Sequence, residues 1–101
     1  MFVVLLRYTA PVTEIDERLA DHYEWVNQHY GAGDFIAAGR RQSRDGAVII
    51  SRAMSRGRLD AILATDPFIM HKLARYEVIE FEAKLTVPEL LRYADPVTMG
   101  T

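Results

Sequence analysis

The chain has 101 residues, of which 50% are hydrophobic and 26% are charged, and its formal net charge is −2. This composition predicts one soluble domain, and the interspersed charges argue against nucleic-acid binding, which requires a clustered basic face. The absence of cysteine excludes disulfides, thiolate nucleophiles and thiolate-bound metals. Residues 2–6 are apolar but too few for a signal peptide or a membrane span, so we expect a cytoplasmic protein without membrane contact.

The first two predicted elements are a strand and a long helix. Residues 2–8 are almost all apolar, which is typical of a strand that is covered on both faces. Pro11 ends this strand, and Thr13 is the predicted N-cap of a helix over about residues 13–30. Gly31 then supplies the flexible position that is expected where a helix ends.

A hairpin and a second helix are predicted next. Strands over residues 34–39 and 47–51 are joined by a turn signal at Asp45-Gly46. Ser55 is the predicted N-cap of the helix that follows. A loop is the alternative there, because Gly57 weakens the first helical turn by about 1 kcal/mol.

The dipeptide Asp66-Pro67 separates this helix from a shorter one. Proline disfavours the helical conformation in the residue before it, so the second helix should stop near Thr65. Asp66 can then cap a helical piece over residues 67–73 that has Pro67 at its first position. Residues 76–84 alternate in polarity and predict the last strand.

The element order β-α-β-β-α-β predicts a ferredoxin-like α+β fold, with an antiparallel sheet and the helices on one face. We expect this domain to span residues 1–85. A C-terminal tail over residues 86–101 follows, with a helical turn near residues 87–93. The end of the tail, through Pro96 and Gly100, is expected to be held loosely.

The sheet face without helices is not polar in this sequence. Depending on the phase, the first strand presents there either Phe2, Val4 and Leu6 or Val3 and Leu5. A monomer would expose an apolar patch of a size that soluble proteins seldom leave uncovered. The sequence therefore predicts a homodimer whose two sheets pack face to face.

Two histidines interrupt the apolar stripe of the first helix. Steps of three and four residues connect Val12, Ile15, Leu19, His22, Val26 and His29, which predicts one core-facing helix face. An imidazole on such a face either makes a structural hydrogen bond or takes part in chemistry. The spacing alone does not rank the two histidines.

Three short motifs resemble the YciI-like (YCII-related) proteins: His22, then Ala37-Ala38-Gly39, then Asp66-Pro67-Phe68 ahead of the last strand. The resemblance covers roughly residues 1–85 and implies the fold of that family, the dimeric α/β barrel. It also implies a histidine–aspartate pair in an active site, which matches His22 and Asp66 here. One activity in the family is the dehydrochlorination of a chlorinated hydroxyquinone.

The chain departs from the family pattern at three places. Members often carry proline after the glycine of the second strand, where this chain has Arg40, and glycine after the Asp-Pro-Phe motif, where this chain has Lys72. A proline common before the phenylalanine of the final strand is also missing. These changes bear on the pocket and the substrate more than on the fold.

His22 and Asp66 each have two interpretations. His22 is either a buried histidine bonded for structural reasons or a general acid/base whose tautomer is fixed by Asp66. Asp66 is either an N-cap or the partner that stabilises the imidazolium, and its two carboxylate oxygens allow both roles.

The remaining histidines and aromatic residues are expected to be structural. His29 lies two turns after His22, about 10 Å along the helix, which is too far for one metal ion. His71 is expected to be exposed or to cap a helix. No metal-ligand spacing occurs, so we expect neither a metal nor a cofactor. Packing or interface roles are expected for the aromatic residues Tyr23, Trp25 and Tyr30.

Four polar residues are candidates for substrate binding. Arg40 and Ser43 lie near the hairpin end, where they are either solvated or, in the case of an arginine, able to hold an anionic oxygen by a bidentate contact. Arg7 has the same two interpretations. Arg18 also has these two interpretations. It lies one helical turn before His22 and is expected to face the same way.

Two functions follow as hypotheses. In the first, the chain is a small cofactor-free enzyme of the lyase, isomerase or dehydrochlorinase type that acts on a small, aromatic or enolic molecule through His22 and Asp66. In the second, it is a non-catalytic dimeric module that binds a small ligand or serves as an accessory domain. A cavity beside His22 would favour the enzyme.

Overall fold

The computed structural model describes residues 1–95, and the predicted end of the tail, with Pro96 and Gly100, lies outside them. Within this range no helix has both the length and the apolar character needed to cross a membrane. The elements are β1 Phe2–Tyr8, α1 Val12–Gly31, β2 Phe35–Arg40, β3 Gly46–Ser51, α2 Arg56–Leu63, α3 Pro67–Met70, β4 Ala74–Glu80 and a 3-10 helix Pro88–Tyr93.

The four strands form one antiparallel sheet in the order β2-β3-β1-β4. The predicted ferredoxin-like α+β fold is therefore confirmed. Alternate residues of β1 are buried in a core that includes Trp25 of α1 and Leu59 of α2, which puts these helices on one face of the sheet. The β1 residues buried in this core are Phe2, Val4 and Leu6.

Helix α1 begins one residue earlier than predicted, and Thr13 is not its N-cap. Pro11 occupies the N-cap position with φ −58° and ψ 150°, and its carbonyl accepts hydrogen bonds from Glu14 N at 3.0 Å and Ile15 N at 3.2 Å. The extended proline sets the helix start without a side-chain cap. Val12, the predicted start of the buried stripe, is consequently 65% exposed at the helix end.

The predicted caps of the two later helices are confirmed. Ser55 accepts a hydrogen bond from Arg58 N at 3.2 Å, and Asp66 Oδ1 accepts one from Phe68 N at 3.0 Å. Helix α3 ends at Met70 rather than at residue 73. The reason is Lys72, whose φ of +58° is left-handed and stops the helix, a position that usually favours glycine.

Strand β4 spans Ala74–Glu80 instead of the predicted residues 76–84. It starts earlier because Ala74 pairs with Tyr8 at the end of β1. It ends earlier because Glu80 pairs with Phe2, the first residue of β1, and beyond this point Ala83 N donates to Asp95 Oδ2 at 2.8 Å. Strand β2 starts and ends one residue later than predicted, since Arg40 still pairs with Ala47.

The sheet face without helices carries a continuous apolar surface. Val3 of β1 lies between Ile50 of β3 and Ile79 of β4, and Leu5 is paired with Val48. Ile79 is 45% exposed, and the other four residues are half-buried. We call these five residues the open face.

Candidate active site

His22 and Asp66 are in direct contact in the interior. His22 Nδ1 lies 2.8 Å from Asp66 Oδ1, and the two residues are 3% and 0% exposed. Helix α1 presents His22 on its buried side, and the N-terminus of α3 presents Asp66 to it. The fold thus brings together two residues that are 44 positions apart in the chain.

The hydrogen bonds of Asp66 determine how the imidazole is oriented. Its Oδ1 accepts from both His22 Nδ1 and the backbone N–H of Phe68. An ionised carboxylate only accepts hydrogen bonds, so Nδ1 donates its hydrogen and the lone pair of the neutral ring lies on Nε2. The second oxygen, Oδ2, is buried without a partner among residues 1–95.

Packing fixes the imidazole further. The ring of Phe68 stacks on that of His22 at 4.2 Å with an interplanar angle of 8°. One turn along α1, Trp25 Nε1 donates to Thr65 Oγ1 at 2.8 Å. Two adjacent hydrogen bonds therefore tie α1 to the junction of α2 and α3, and His22 has little freedom to turn.

A cavity of about 300 Å³ lies between α1 and the β2–β3 side of the sheet, and His22 lines it. Nε2 has no hydrogen-bond partner among residues 1–95 and is not sealed from solvent. The floor is apolar, formed mainly by Val26, Ala38, Ala47 and Ile49. A small molecule in this cavity would lie beside the side chain of His22.

Arg40 supplies positive charge to the cavity. Its Nε donates to Tyr8 Oη at 3.3 Å, and both residues line the cavity. This hydrogen bond raises the pKa of Arg40 above its ordinary value, against the opposing effect of partial burial. Asp16 lies 3.9 Å away and is 57% exposed, so its attraction is weakened by solvent.

Three of the predicted binding residues do not line the cavity beside His22. Arg7 lies on the opposite side of the sheet, because side chains alternate along β1 and Arg7 is in phase with Leu5. Ser43 is in the exposed hairpin turn, where its hydroxyl bonds to Asp45. Arg18 has a side chain that is 43% exposed and lies near Asp21, not in the cavity.

The other two histidines lie outside the cavity. His29 Nδ1 is 3.2 Å from Asp34 Oδ2 near the end of α1, and Asp34 Oδ1 also accepts from Arg58 at 2.8 Å. His71 is exposed at the C-cap of α3. In the part of the chain that the structure describes, no cluster of three or more histidine, aspartate or glutamate residues could hold a metal ion.

Sequence reasoning missed three residues of the cavity: Tyr8, Tyr23 and Asn27. Tyr8 carried a usable signal, since it follows Phe2, Val4 and Leu6 at a spacing of two and must share their face. Tyr23 was expected in packing or at an interface. It borders the cavity because the helix face that meets the sheet edge is wider than the predicted stripe.

The fold and site define a small α+β protein with a buried histidine–aspartate pair beside a cavity. The model of the YCII-related domain matches residues 1–82, and the chain belongs to that family. The resemblance expected from the three motifs is thereby confirmed.

A similar solved structure is the 5-chloro-2-hydroxyhydroquinone dehydrochlorinase from Burkholderia phenoliruptrix AC1100, in complex with 2,5-dihydroxybenzoquinone. The TM-score is 0.65 at 17% sequence identity, over 80% of this chain and 93% of that chain. At this identity the likeness shows a shared fold. A search of curated proteins gives no match.

Proposed function

We propose that this protein is an enzyme that moves a proton on a small molecule bound beside His22. His22 is the general acid/base, and Asp66 orients it and stabilises its protonated form. The observation that carries the proposal is the asymmetry of the ring: Nδ1 is bonded to Asp66, whereas Nε2 has no hydrogen-bond partner among residues 1–95 and the residue lines the cavity. A ring with both nitrogens bonded to protein would have supported a structural role.

The reaction class follows from what these groups can do without further help. Nε2 accepts a proton from a carbon or oxygen of the substrate and later returns it, which is the chemistry of lyases, isomerases and dehydrochlorinases. The apolar cavity floor favours a small aromatic or enolic molecule. The dehydrochlorinase of similar fold acts on a molecule of that kind, which is consistent with the proposal.

The alternative is a module of the same fold that binds a small ligand without changing it. One observation favours it: Asp66 already has a structural task, because its Oδ1 caps α3. The His22–Asp66 pair would then be structural and, like the bond between Trp25 and Thr65, would join α1 to the helices beside it.

The test is a screen of small aromatic and enolic compounds by thermal shift, followed by a turnover assay on every compound that stabilises the protein. His29→Ala is the matched control, since His29 lies on the same helix, also contacts an aspartate and does not line the cavity. We expect His22→Ala to lose turnover by at least about 100-fold, as general acid–base groups contribute 10²–10⁴.

Two results would decide against the enzyme. Ligands that stabilise the wild type without any turnover would favour the binding module. Equal turnover by the wild type and His22→Ala would remove His22 from the chemistry. In either case His29→Ala should behave like the wild type, because its contacts lie outside the cavity.

We also propose a homodimer that forms through the open face. The support is the apolar character of Val3, Leu5, Val48, Ile50 and Ile79, which lie together on the side of the sheet without helices. A second copy of the chain would cover this surface with an equivalent one.

A further inference from the structure

We propose that Tyr8 and Arg40 together bind an anionic or enolisable oxygen of the substrate, so that the substrate is a small enol, enolate or carbonyl compound that can enolise. The inference rests on the proposed function and assigns the oxygen-binding half of the same cavity. Tyr8 has no role in the histidine–aspartate pair, and its hydroxyl lies in the cavity beside the guanidinium.

The hydrogen bond between the two residues leaves donors free for a ligand. Arg40 Nε donates to Tyr8 Oη at 3.3 Å, so the hydroxyl oxygen is an acceptor in that bond. Its own O–H has no acceptor among residues 1–95 and is free to donate to a ligand. A hydroxyl that accepts a bond from a cation becomes a stronger donor, because neighbouring hydrogen bonds polarise each other.

The charge of the cavity selects the same kind of ligand. Arg40 lines it, and no aspartate or glutamate of the described chain does. The nearby Asp16 contacts the guanidinium only at 3.9 Å from an exposed position. A cation in a partly apolar cavity whose lining among residues 1–95 holds no carboxylate favours a ligand that carries negative charge or develops it.

Phe68 contacts both Tyr8 and the base His22. Its ring stacks on His22 at 4.2 Å and meets the ring of Tyr8 edge to face, at 5.6 Å and 81°. The tyrosine and the imidazole are thus held against one fully buried side chain. His22, Tyr8 and Arg40 also line the same cavity, so we expect a planar substrate in it to reach the base and the oxygen-binding pair together.

The step that this arrangement allows is an enolisation. Nε2 of His22 takes a proton from the carbon beside a carbonyl group, and the electron pair of the C–H bond forms a carbon–carbon double bond. The carbonyl π electrons move to the oxygen, which accepts hydrogen bonds from Tyr8 O–H and from an Arg40 N–H. The imidazolium then returns the proton to another atom of the same molecule, and the enzyme is regenerated.

The experiment measures the affinity of two probes by calorimetry at neutral pH. One is 2,5-dihydroxybenzoquinone, an acidic enol, and the other is hydroquinone, a neutral diphenol of similar size. Tyr8→Phe and Arg40→Met should each weaken binding of the acidic probe by about 10-fold or more, since hydrogen bonds to charged groups contribute about 1.5–3 kcal/mol. Hydroquinone should bind all variants with a weak and similar affinity.

Tyr76→Phe is the matched control, because Tyr76 is a half-buried tyrosine on the same sheet face that does not line the cavity. It should bind like the wild type. Unchanged affinity in Tyr8→Phe and Arg40→Met would overturn the inference, and weaker binding by His22→Ala in the same series would leave the proposed function intact. Failure of the wild type to prefer the acidic probe would also overturn the inference.

Discussion

At the scale of single residues, the two histidines of α1 differ in their access to the cavity. His22 and His29 share a helix stripe, and each has an aspartate at its Nδ1, at 2.8 Å and 3.2 Å respectively. Only His22 lines the cavity between α1 and the sheet. The pairing with aspartate is therefore common to both histidines, whereas access to the cavity distinguishes His22.

The sequence could predict His22 and Asp66 only as a motif of a family. Their contact joins positions 44 residues apart, and helical spacing carries no information on such a distance. Arg7 and Tyr8 illustrate a second limit. They are neighbours in the chain, yet one faces away from the cavity and the other lines it, and the phase of β1 was left open.

At the scale of elements, the types and order could be predicted because local signals agreed. Ser55 and Asp66-Pro67 marked two helix starts, and the structure confirms both. The ends were less predictable where they depend on distant partners. The end of β4 depends on Asp95, and the end of α3 depends on the backbone of Lys72, which takes a conformation that most residues avoid.

The two helix caps give a prediction about stability. Ser55→Ala removes one exposed capping bond and should cost about 1 kcal/mol in the free energy of unfolding. Asp66→Ala removes a capping bond and the partner of a buried imidazole, and should cost about 3 kcal/mol. Urea denaturation measures both. Equal losses would mean that the bond from His22 to Asp66 adds no net stability.

At the scale of the whole molecule, the open face is an apolar surface that no helix among residues 1–95 of the same chain covers. Leu5 lies in the middle of this face, between Val48 and Glu77 on the neighbouring strands. The apolar pattern of β1 predicted two covered faces, and the helices cover one of them. The sequence left open which residues of β1 face the helices. In the structure, Val3 and Leu5 lie on the side that the helices do not cover.

Light scattering tests the proposed homodimer. We expect the wild type at twice the chain mass of 11.5 kDa and Leu5→Glu at the mass of one chain, because a buried charge beside Glu77 would oppose association. Leu91→Glu is the control, since Leu91 is 69% exposed on the 3-10 helix and is not one of the five open-face residues. A monomeric wild type would contradict the proposal.

The central claim is that Asp66 holds His22 so that the lone pair of Nε2 faces the cavity. The ¹⁵N spectrum of the histidine side chains tests it most directly, with the exposed His71 as an internal reference. We expect neutral His22 to carry its hydrogen on Nδ1, and we expect a ligand in the cavity to shift the Nε2 resonance. A hydrogen on Nε2, or an Nε2 resonance that does not respond to a bound cavity ligand, would contradict it.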